Sequence, residues 1–219
     1  MKQNTLLQTA REAARILLDT KSVLFNAREP FTYTSGRKGP VYVDCRRLIS
    51  FPQGRSVLMN YAADMIRREV EKIDYVAGGE TAGIPYAAFI AERLDAPMLY
   101  VRKQPKGFGR MAQIEGCMDD AGAHVVLVED LQTDGGSKKV FVDALRDAGA
   151  VVEHAFVVFH YGIFPASEKN MVAMGIKLHA LCTWWDVLAV AKELEYFDAQ
   201  TLSSVEAFLN APDKWAQAS

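Results

Sequence analysis

Apolar and polar positions along the chain follow a rhythm that predicts an α/β sheet. Segments with the apolar spacing of helices, at 84–94 and 137–148, alternate with short apolar runs of the strand type. These runs lie at 75–77, 98–101, 125–128, 151–159 and 177–181. Strands that alternate with helices indicate βαβ units, so the pattern predicts a mostly parallel sheet flanked by helices.

A smaller group of elements precedes and follows this sheet along the chain. Helical spacing at 5–19 and 53–71 predicts two helices. Two β-rich runs, at 31–33 and 41–43, flank a loop that contains glycine, and this arrangement predicts a hairpin. Two further helices are expected near the end of the chain, at 187–194 and 202–210.

The length of 219 residues is that of one domain. We therefore predict a single domain over residues 1–219, with its core at about 55–181. A small hood subdomain is expected from residues 1–50, which hold the first helix and the hairpin, together with the C-terminal helices.

Charge and cysteine usage narrow the function classes. Twenty-five basic and 27 acidic residues give a net charge of −2, which excludes a strongly basic nucleic-acid binder. Three widely spaced cysteines indicate reduced thiols and not a disulfide framework or a zinc site. No apolar run approaches 18 residues, and the first segment lacks the pattern of a signal peptide. These observations predict a cytoplasmic protein without nucleic-acid or membrane partners.

The stretch from Glu129 to Ser137 carries the clearest chemistry. Glu129 and Asp130 follow the apolar run at 125–128, and a loop with the paired glycines Gly135 and Gly136 leads to a helix near Ser137. Ligands of parallel sheets bind at the carboxyl ends of the strands, and loop amides at a helix N-terminus suit a phosphate. Adjacent carboxylates accept hydrogen bonds from paired sugar hydroxyls. The pattern predicts a phosphorylated sugar as ligand, with a plain strand-to-helix turn as the alternative.

This pattern resembles the phosphoribosyl-pyrophosphate (PRPP) motif of type I phosphoribosyltransferases. The resemblance implies their fold, a parallel sheet flanked by helices with a small hood of N-terminal helix and hairpin. It also implies that Glu129 and Asp130 bind the ribose hydroxyls. The loop that would hold the 5′-phosphate consists of Thr133, Asp134, Gly135, Gly136 and Ser137. The segment 77–85 is similar to the loop that contacts pyrophosphate, which implies PRPP contacts for Thr81 and Ala82.

Two more segments resemble the orotate group of this family. The segment 31–42 is similar to the hairpin that covers the base and PRPP, so Tyr33, Lys38 and Tyr42 are implied as base contacts, together with Thr133. The segment 101–109 is similar to the mobile catalytic loop. In that loop, Arg102, Lys103 and Lys106 are implied as the catalytic cations that stabilise the leaving pyrophosphate. Without the resemblance, this cluster is also consistent with a solvated basic loop.

The resemblance implies a reaction, a cofactor and an assembly. The reaction is transfer of the 5-phosphoribosyl group from PRPP to orotate, which yields orotidine 5′-monophosphate and pyrophosphate for pyrimidine biosynthesis. Mg²⁺ is the implied cofactor, held mainly by PRPP and without direct protein ligands. The implied assembly is a homodimer in which the loop 103–116 is shared across subunits.

Two departures from the family pattern keep alternatives open. Phe108 stands where many members have a loop histidine, and the stretch 158–162 lacks the arginine that binds the orotate carboxylate. One alternative is therefore a phosphoribosyltransferase for another nucleobase, and the other is a non-catalytic PRPP-binding regulator. The four histidines lie in or near strands and are expected to be structural: His124, His154, His160 and His179.

Overall fold

The computed structural model describes residues 2–33, 38–107 and 113–215, with side chains from residue 6 onward. The prediction that concerns Phe108 lies outside these residues. Within the described ranges, the α-helices are α1 (Lys2–Asp19), α2 (Pro52–Glu69), α3 (Gly83–Leu94), α4 (Lys138–Asp147), α5 (Pro165–Met174), α6 (Trp184–Glu193) and α7 (Ala199–Asn210). A 3-10 helix spans Cys45–Ser50.

The strands begin with four short ones, β1 (Val23–Phe25), β2 (Phe31–Thr32), β3 (Lys38–Gly39) and β4 (Val41–Val43). The others are β5 (Tyr75–Gly79), β6 (Met98–Val101), β7 (Ile114–Glu115), β8 (His124–Gln132), β9 (Val151–His160) and β10 (Lys177–Thr183).

Six strands form the central sheet, in the order β10-β9-β8-β5-β6-β7. Strand β5 pairs in parallel with β6 and β8, and β8 pairs in parallel with β9. Strand β7 is antiparallel to β6. The predicted mostly parallel sheet with intervening helices is confirmed. Its central strands are buried along most of their length, as expected for a sheet with helices on both faces.

The chain divides into two compact units. The sheet unit consists of Ser56–His160 and Phe164–Leu181, and the hood unit consists of Met1–Arg55, Tyr161–Ile163 and Cys182–Ser219. In the sheet unit, the apolar core lies between the strands and α4, where Leu127, Phe141 and Leu145 are at most 2% exposed. The prediction of one domain stays a prediction.

The hood unit corrects the predicted hairpin. Strand β2 pairs with β3, with Phe31 opposite Gly39, while β4 pairs with β1, with Val41 opposite Phe25. The prediction was wrong in pairing 31–33 with 41–43 and in missing β1. Pro40 separates β3 from β4, and because it has no N–H it cannot donate to a continuing ladder. Its carbonyl oxygen instead accepts from the Asn26 backbone, at 2.8 Å.

Strand β8 is longer than predicted. The sequence indicates a strand end at Val128, yet pairing with β9 continues through Glu129 opposite Val157 and Gln132 opposite His160. The polar side chains of Glu129, Asp130 and Gln132 suggested a loop, but β9 is long enough to supply backbone partners for residues 129–132. The acidic pair therefore lies on a strand, and the phosphate loop begins at Thr133.

Helix α5 was also missed by the sequence reasoning. It starts with Pro165 at its first position and ends at Gly175, which adopts a left-handed conformation with φ of 64°. Both residues are ordinary helix boundary signals and could have revealed it. Among the described residues, the search for a helix that combines the length and apolar character of a membrane span finds none.

Candidate active site

Two turns lie at the carboxyl ends of the neighbouring parallel strands β5 and β8. One comprises residues 80–83, which lead from β5 into the first residue of α3, and the other comprises residues 133–137 between β8 and α4. We call these two turns the cradle. Gly83 belongs to the first turn, and a Cβ there would collide with the carbonyl oxygen of Val128 on β8. Because this position has no side chain, the first turn can pack closely against β8.

The second turn of the cradle packs against side chains of β8 and α5. Gly135 has φ of 78°, and a Cβ there would lie 2.8 Å from Met171 Cε and 3.0 Å from Gln132 Nε2. Gln132 is 2% exposed, and its Nε2 donates to Ser167 Oγ on α5, at 2.7 Å. Asn170 Nδ2 donates to the Asp134 carbonyl oxygen, at 2.8 Å. These contacts fix the path of the turn through helix α5.

The polar groups of the second turn face the N-terminus of α4. Ser137 precedes this ten-residue helix and makes no side-chain capping bond. The Asp134 carboxylate accepts from the Gly136 backbone N–H, at 3.0 Å. Asp134 stands where the family pattern has a small residue, and its side chain thus engages the turn's own backbone. Backbone N–H groups at a helix N-terminus favour an anionic group.

The acidic pair lies on β8, directly below the two turns. Glu129 is shielded by its surroundings, with 12% of its side chain exposed, and its Oε2 lies 2.5 Å from Lys138 Nζ. Burial raises the pKa of the Asp130 carboxyl above its ordinary value, and the charge of Glu129 raises it further. The ammonium of Lys138 has the opposite effect on that pKa. The sequence reasoning missed Lys138, because a lysine at a helix start usually lies in solvent.

Arg102, Lys103 and Lys106 occupy an exposed segment that follows β6. We call residues 102–107 the cationic segment. Lys106 Nζ lies 2.8 Å from Glu115 Oε1, and Arg102 Nη1 lies 3.7 Å from the same oxygen. The Lys103 backbone N–H donates to Glu80 Oε2, at 2.7 Å, which ties the segment to the first turn of the cradle. Glu80 and Glu115 were not among the predicted site residues, since nothing in their local pattern distinguishes them.

Thr81 and Ala82 lie in the first turn of the cradle, between Glu80 and the start of α3. Thr81 is exposed and Ala82 is half-buried. Within the sheet unit, the structure therefore brings the predicted PRPP-binding residues to one edge of the sheet, and the backbone of the cationic segment joins the same edge through Glu80.

The residues predicted to contact the base lie in the hood unit, apart from Thr133. Tyr33 donates its hydroxyl proton to the Val41 carbonyl oxygen, at 2.7 Å, and its ring covers Gly39. Tyr42 pairs with Phe31, with ring centroids 5.4 Å apart. Lys38 is exposed on β3. In the structure, the Tyr33 hydroxyl thus stabilises the connection between β2 and β4.

The chain is similar to known proteins along most of its length. A model of the phosphoribosyl transferase domain matches residues 52–178. The orotate phosphoribosyltransferase of Roseobacter denitrificans is 55% identical over 213 residues, which cover 96% of this chain and 94% of that protein. The chain belongs to the orotate phosphoribosyltransferase family.

Other orotate phosphoribosyltransferases are similar to this chain in sequence and in structure. The protein of that name from Rhizobium meliloti is 55% identical over 94% of this chain and 90% of its own length. The crystal structure of orotate phosphoribosyltransferase from Aeropyrum pernix matches with a TM-score of 0.70 and 31% identity, over 84% of this chain and 99% of that chain. The predicted type I phosphoribosyltransferase fold is confirmed.

A larger protein contains a similar structure. The UMP synthase of Leishmania donovani matches with a TM-score of 0.77 and 28% identity, over 91% of this chain and 42% of that chain. The orotate phosphoribosyltransferase fold thus accounts for almost all of this chain and for less than half of that synthase.

Three histidines lie on strands β9 and β10 and not in the two turns of the cradle. His154 Nδ1 and His179 Nε2 lie 3.0 Å apart on neighbouring strands, and burial lowers the pKa of His179 to about 4. His160 Nε2 lies 2.8 Å from Ser167 Oγ, and burial also lowers the pKa of His160. His160 and Ser167 thereby extend the polar contacts of Gln132 beneath the cradle.

Proposed function

We propose that the chain transfers the 5-phosphoribosyl group from PRPP to orotate, in the synthesis of pyrimidine nucleotides. The products are orotidine 5′-monophosphate and pyrophosphate. The observation that carries this proposal is the 55% identity to an orotate phosphoribosyltransferase over 96% of the chain. A bond forms between a ring nitrogen of orotate and C1 of the ribose, and the bond from C1 to the pyrophosphate oxygen breaks.

The cradle binds the ribose phosphate in this proposal. The amides of Gly135, Gly136 and Ser137 and the N-terminus of α4 receive the 5′-phosphate, since free N–H groups and the positive end of the helix dipole favour a dianion. Thr133 and Ser137 add hydroxyl donors. Glu129 and Asp130 accept hydrogen bonds from the ribose hydroxyls. Asp134 must release the Gly136 N–H, or share it, when phosphate enters the turn.

The cationic segment stabilises the leaving group. As the bond at C1 breaks, positive charge develops on the ribose and negative charge on pyrophosphate. Arg102, Lys103 and Lys106 supply positive charge where that negative charge develops, and Thr81 and Ala82 contact the pyrophosphate from the cradle. Glu115 lies next to Arg102 and Lys106 in the structure, so these two cations must exchange a carboxylate for pyrophosphate.

Tyr33, Lys38, Tyr42 and Thr133 are the proposed contacts of the base. Tyr33 and Tyr42 offer aromatic faces to the flat pyrimidine ring, and Lys38 offers a positive charge to the orotate carboxylate. The Tyr33 hydroxyl is already a donor to Val41, so we expect this residue to contribute its ring.

Magnesium is the proposed cofactor. Mg²⁺ prefers hard oxygen ligands, and in phosphate-transferring sites one or two carboxylates and the substrate phosphates provide them. The acidic pair of Glu129 and Asp130 gives this edge of the sheet a negative charge, which is compatible with a divalent cation. We expect the oxygens of PRPP to supply most ligands of the ion, without direct ligands from the protein. When bound, Mg²⁺ supplies further positive charge beside the departing pyrophosphate.

We also propose a cytoplasmic homodimer in which the loop 103–116 serves the neighbouring subunit's site. The support is the family resemblance of that loop and the exposure of the cationic segment, in which Lys103 is exposed. A loop that closes over PRPP from outside would exclude water and so protect PRPP from hydrolysis.

A second candidate is transfer to a different nucleobase. The observation that favours it lies at the end of β9, where the stretch 157–163 holds neither lysine nor arginine. There, Phe159 is fully buried and His160 contacts Ser167. A third candidate, a PRPP-binding regulator, would bind PRPP without turnover of any base.

The test is a spectrophotometric assay with orotate, PRPP and Mg²⁺. We expect the absorbance of orotate to fall only when PRPP is present, and Lys103→Ala to reduce the rate on the order of 10²-fold or more, because a preorganised charge is removed. Lys72→Ala is the control, since Lys72 is exposed and pairs only with Asp74 among the described residues. Turnover of uracil, hypoxanthine, guanine or adenine without turnover of orotate would overturn the proposal in favour of the second candidate.

A further inference from the structure

Lys138 is a buried lysine at the start of α4. Its side chain is 1% exposed, whereas the side chain of its neighbour Lys139 is 66% exposed. Lysine is almost never fully buried unless it is paired, because transfer of an ammonium group out of water is costly. Lys139 belongs to the same helix turn and remains in solvent, so the helix does not require a buried lysine. Burial of Lys138 therefore requires a partner outside the helix.

That partner is Glu129. The Lys138 ammonium lies 2.5 Å from Glu129 Oε2, and 12% of the Glu129 side chain is exposed. On the other side, Gly79 leaves room for the Glu129 side chain, since a Cβ at Gly79 would lie 3.0 Å from Glu129 Cγ. Glu129 is therefore confined between a glycine of β5 and the lysine of α4, which leaves its carboxylate few orientations.

The position of Lys138 also excludes direct contact with a ligand. A side chain that is 1% exposed has no surface to offer to PRPP, whereas Glu129 retains part of its surface. Lys138 can therefore affect a ligand only indirectly, through the position of Glu129. Consistent with this, the charge of Lys138 lowers the pKa of the Asp130 carboxyl, against the effects of burial and of Glu129.

We propose that Lys138 is a positioning residue that keeps the Glu129 carboxylate oriented to accept a hydrogen bond from a ribose hydroxyl of PRPP. This inference rests on the proposed function, because it requires that the acidic pair binds the sugar. Breaking a buried ion pair leaves an uncompensated charge, so without Lys138 the Glu129 side chain turns toward solvent. That change removes the hydrogen-bond acceptor from its place on β8.

The test measures PRPP binding without any base, by calorimetry in the presence of Mg²⁺. Lys138→Met keeps most of the side-chain volume and removes the charge. We expect PRPP to bind on the order of 10- to 100-fold more weakly to this variant, a loss typical of a displaced binding group. Lys139→Met is the matched control and should bind PRPP as the unaltered protein does, since Lys139 pairs with Asp143 on the helix surface.

The melting temperature, measured beside the affinity, separates positioning from a merely structural contribution. If Lys138 positions Glu129, Lys138→Met binds PRPP more weakly at temperatures at which it is fully folded, while Lys139→Met follows the unaltered protein. A variant with a lowered Tm and unchanged PRPP affinity would overturn the inference, because it would show that the ion pair only joins α4 to β8.

A double variant keeps the inference testable even if Lys138→Met folds poorly. Glu129→Gln combined with Lys138→Met replaces the ion pair with two neutral groups, which removes the uncompensated charge. If Lys138 acts only through Glu129, adding Lys138→Met to Glu129→Gln causes no further loss of PRPP affinity. A further loss of tenfold or more would contradict the inference. Failure of the unaltered protein to bind PRPP would instead refute the proposed function itself.

Discussion

The cradle and the cationic segment lie at the same edge of the sheet but are held in different ways. The cradle is fixed by packing, since Gly83 lies against the Val128 carbonyl group and Gly135 lies against Met171 and Gln132. The cationic segment is partly exposed, and two of its charged groups, those of Arg102 and Lys106, pair with Glu115.

This difference matches the two tasks that we propose. The cradle binds a phosphate that keeps its charge throughout the reaction, so a rigid site costs nothing at the moment of bond breaking. The cations must meet charge that develops only as pyrophosphate leaves, and exposed ion pairs, which contribute little free energy, are readily exchanged for it.

The largest effect is expected from a comparison of two glycines. Gly83→Ala places a methyl group against the Val128 carbonyl oxygen, which is backbone and cannot move aside. We expect a loss of about 1–3 kcal/mol of stability, seen as a Tm lower by roughly 2–10 °C, together with weaker PRPP binding. Gly107→Ala is the control for stability, because none of the described residues lies within 4 Å of a Cβ there. Equal melting temperatures for the two variants would show that the cradle is no more tightly packed than the cationic segment.

A smaller effect is expected from the polar support of the second turn. Asn170→Ala removes the hydrogen bond to the Asp134 carbonyl oxygen, so the turn gains freedom that PRPP binding must then restrict. We expect the KM for PRPP to rise about 2- to 10-fold with little change in kcat, the size of one hydrogen bond. Asn210→Ala removes a similar bond, to the Glu206 carbonyl group in α7, and should leave KM unchanged. A lower kcat at constant KM would mean that Asn170 serves the chemical step instead.

The smallest effect is expected in the cationic segment. Glu115→Gln removes the carboxylate that competes with pyrophosphate for Arg102 and Lys106. Because partly exposed ion pairs contribute about 0.2–1 kcal/mol, we expect the KM for PRPP to fall about 1.5- to 5-fold at low ionic strength, and less at high salt. Glu206→Gln, which removes an exposed pair with Lys192, is the control. A higher KM in Glu115→Gln would indicate that Glu115 holds the cations in their productive place.

The sequence was most informative where the signal is local. The strand-and-helix rhythm predicted five of the six strands of the central sheet, because each has its own apolar pattern, and it missed the two-residue strand β7. The turn from Thr133 to Ser137 could also be identified from local sequence, since its paired glycines directly precede a helix. Helix α5 had equally local signals in Pro165 and Gly175, and these were overlooked.

The errors concern elements whose partners lie far along the chain. Three of the residues 129–132 are polar, and the stretch was interpreted as part of a loop, yet β9 pairs with it and extends the strand. Residues 41–43 have the composition of a hairpin strand, but their partner is β1 and not β2. In both cases the local composition is compatible with two structures, and only backbone pairing with another segment decides between them.

By itself, the amino-acid sequence determined the fold class, the succession of five sheet strands along the chain and the position of a glycine-containing turn after β8, since these depend on periodicity and on glycines within a few residues. The tertiary structure alone decided that Lys138 is buried and Lys139 exposed, although both are lysines in the first turn of one helix. The reason is the packing of α4 against β8, together with Gly79 on β5. This packing leaves room for one ion pair between the helix and the sheet, and water around the next lysine.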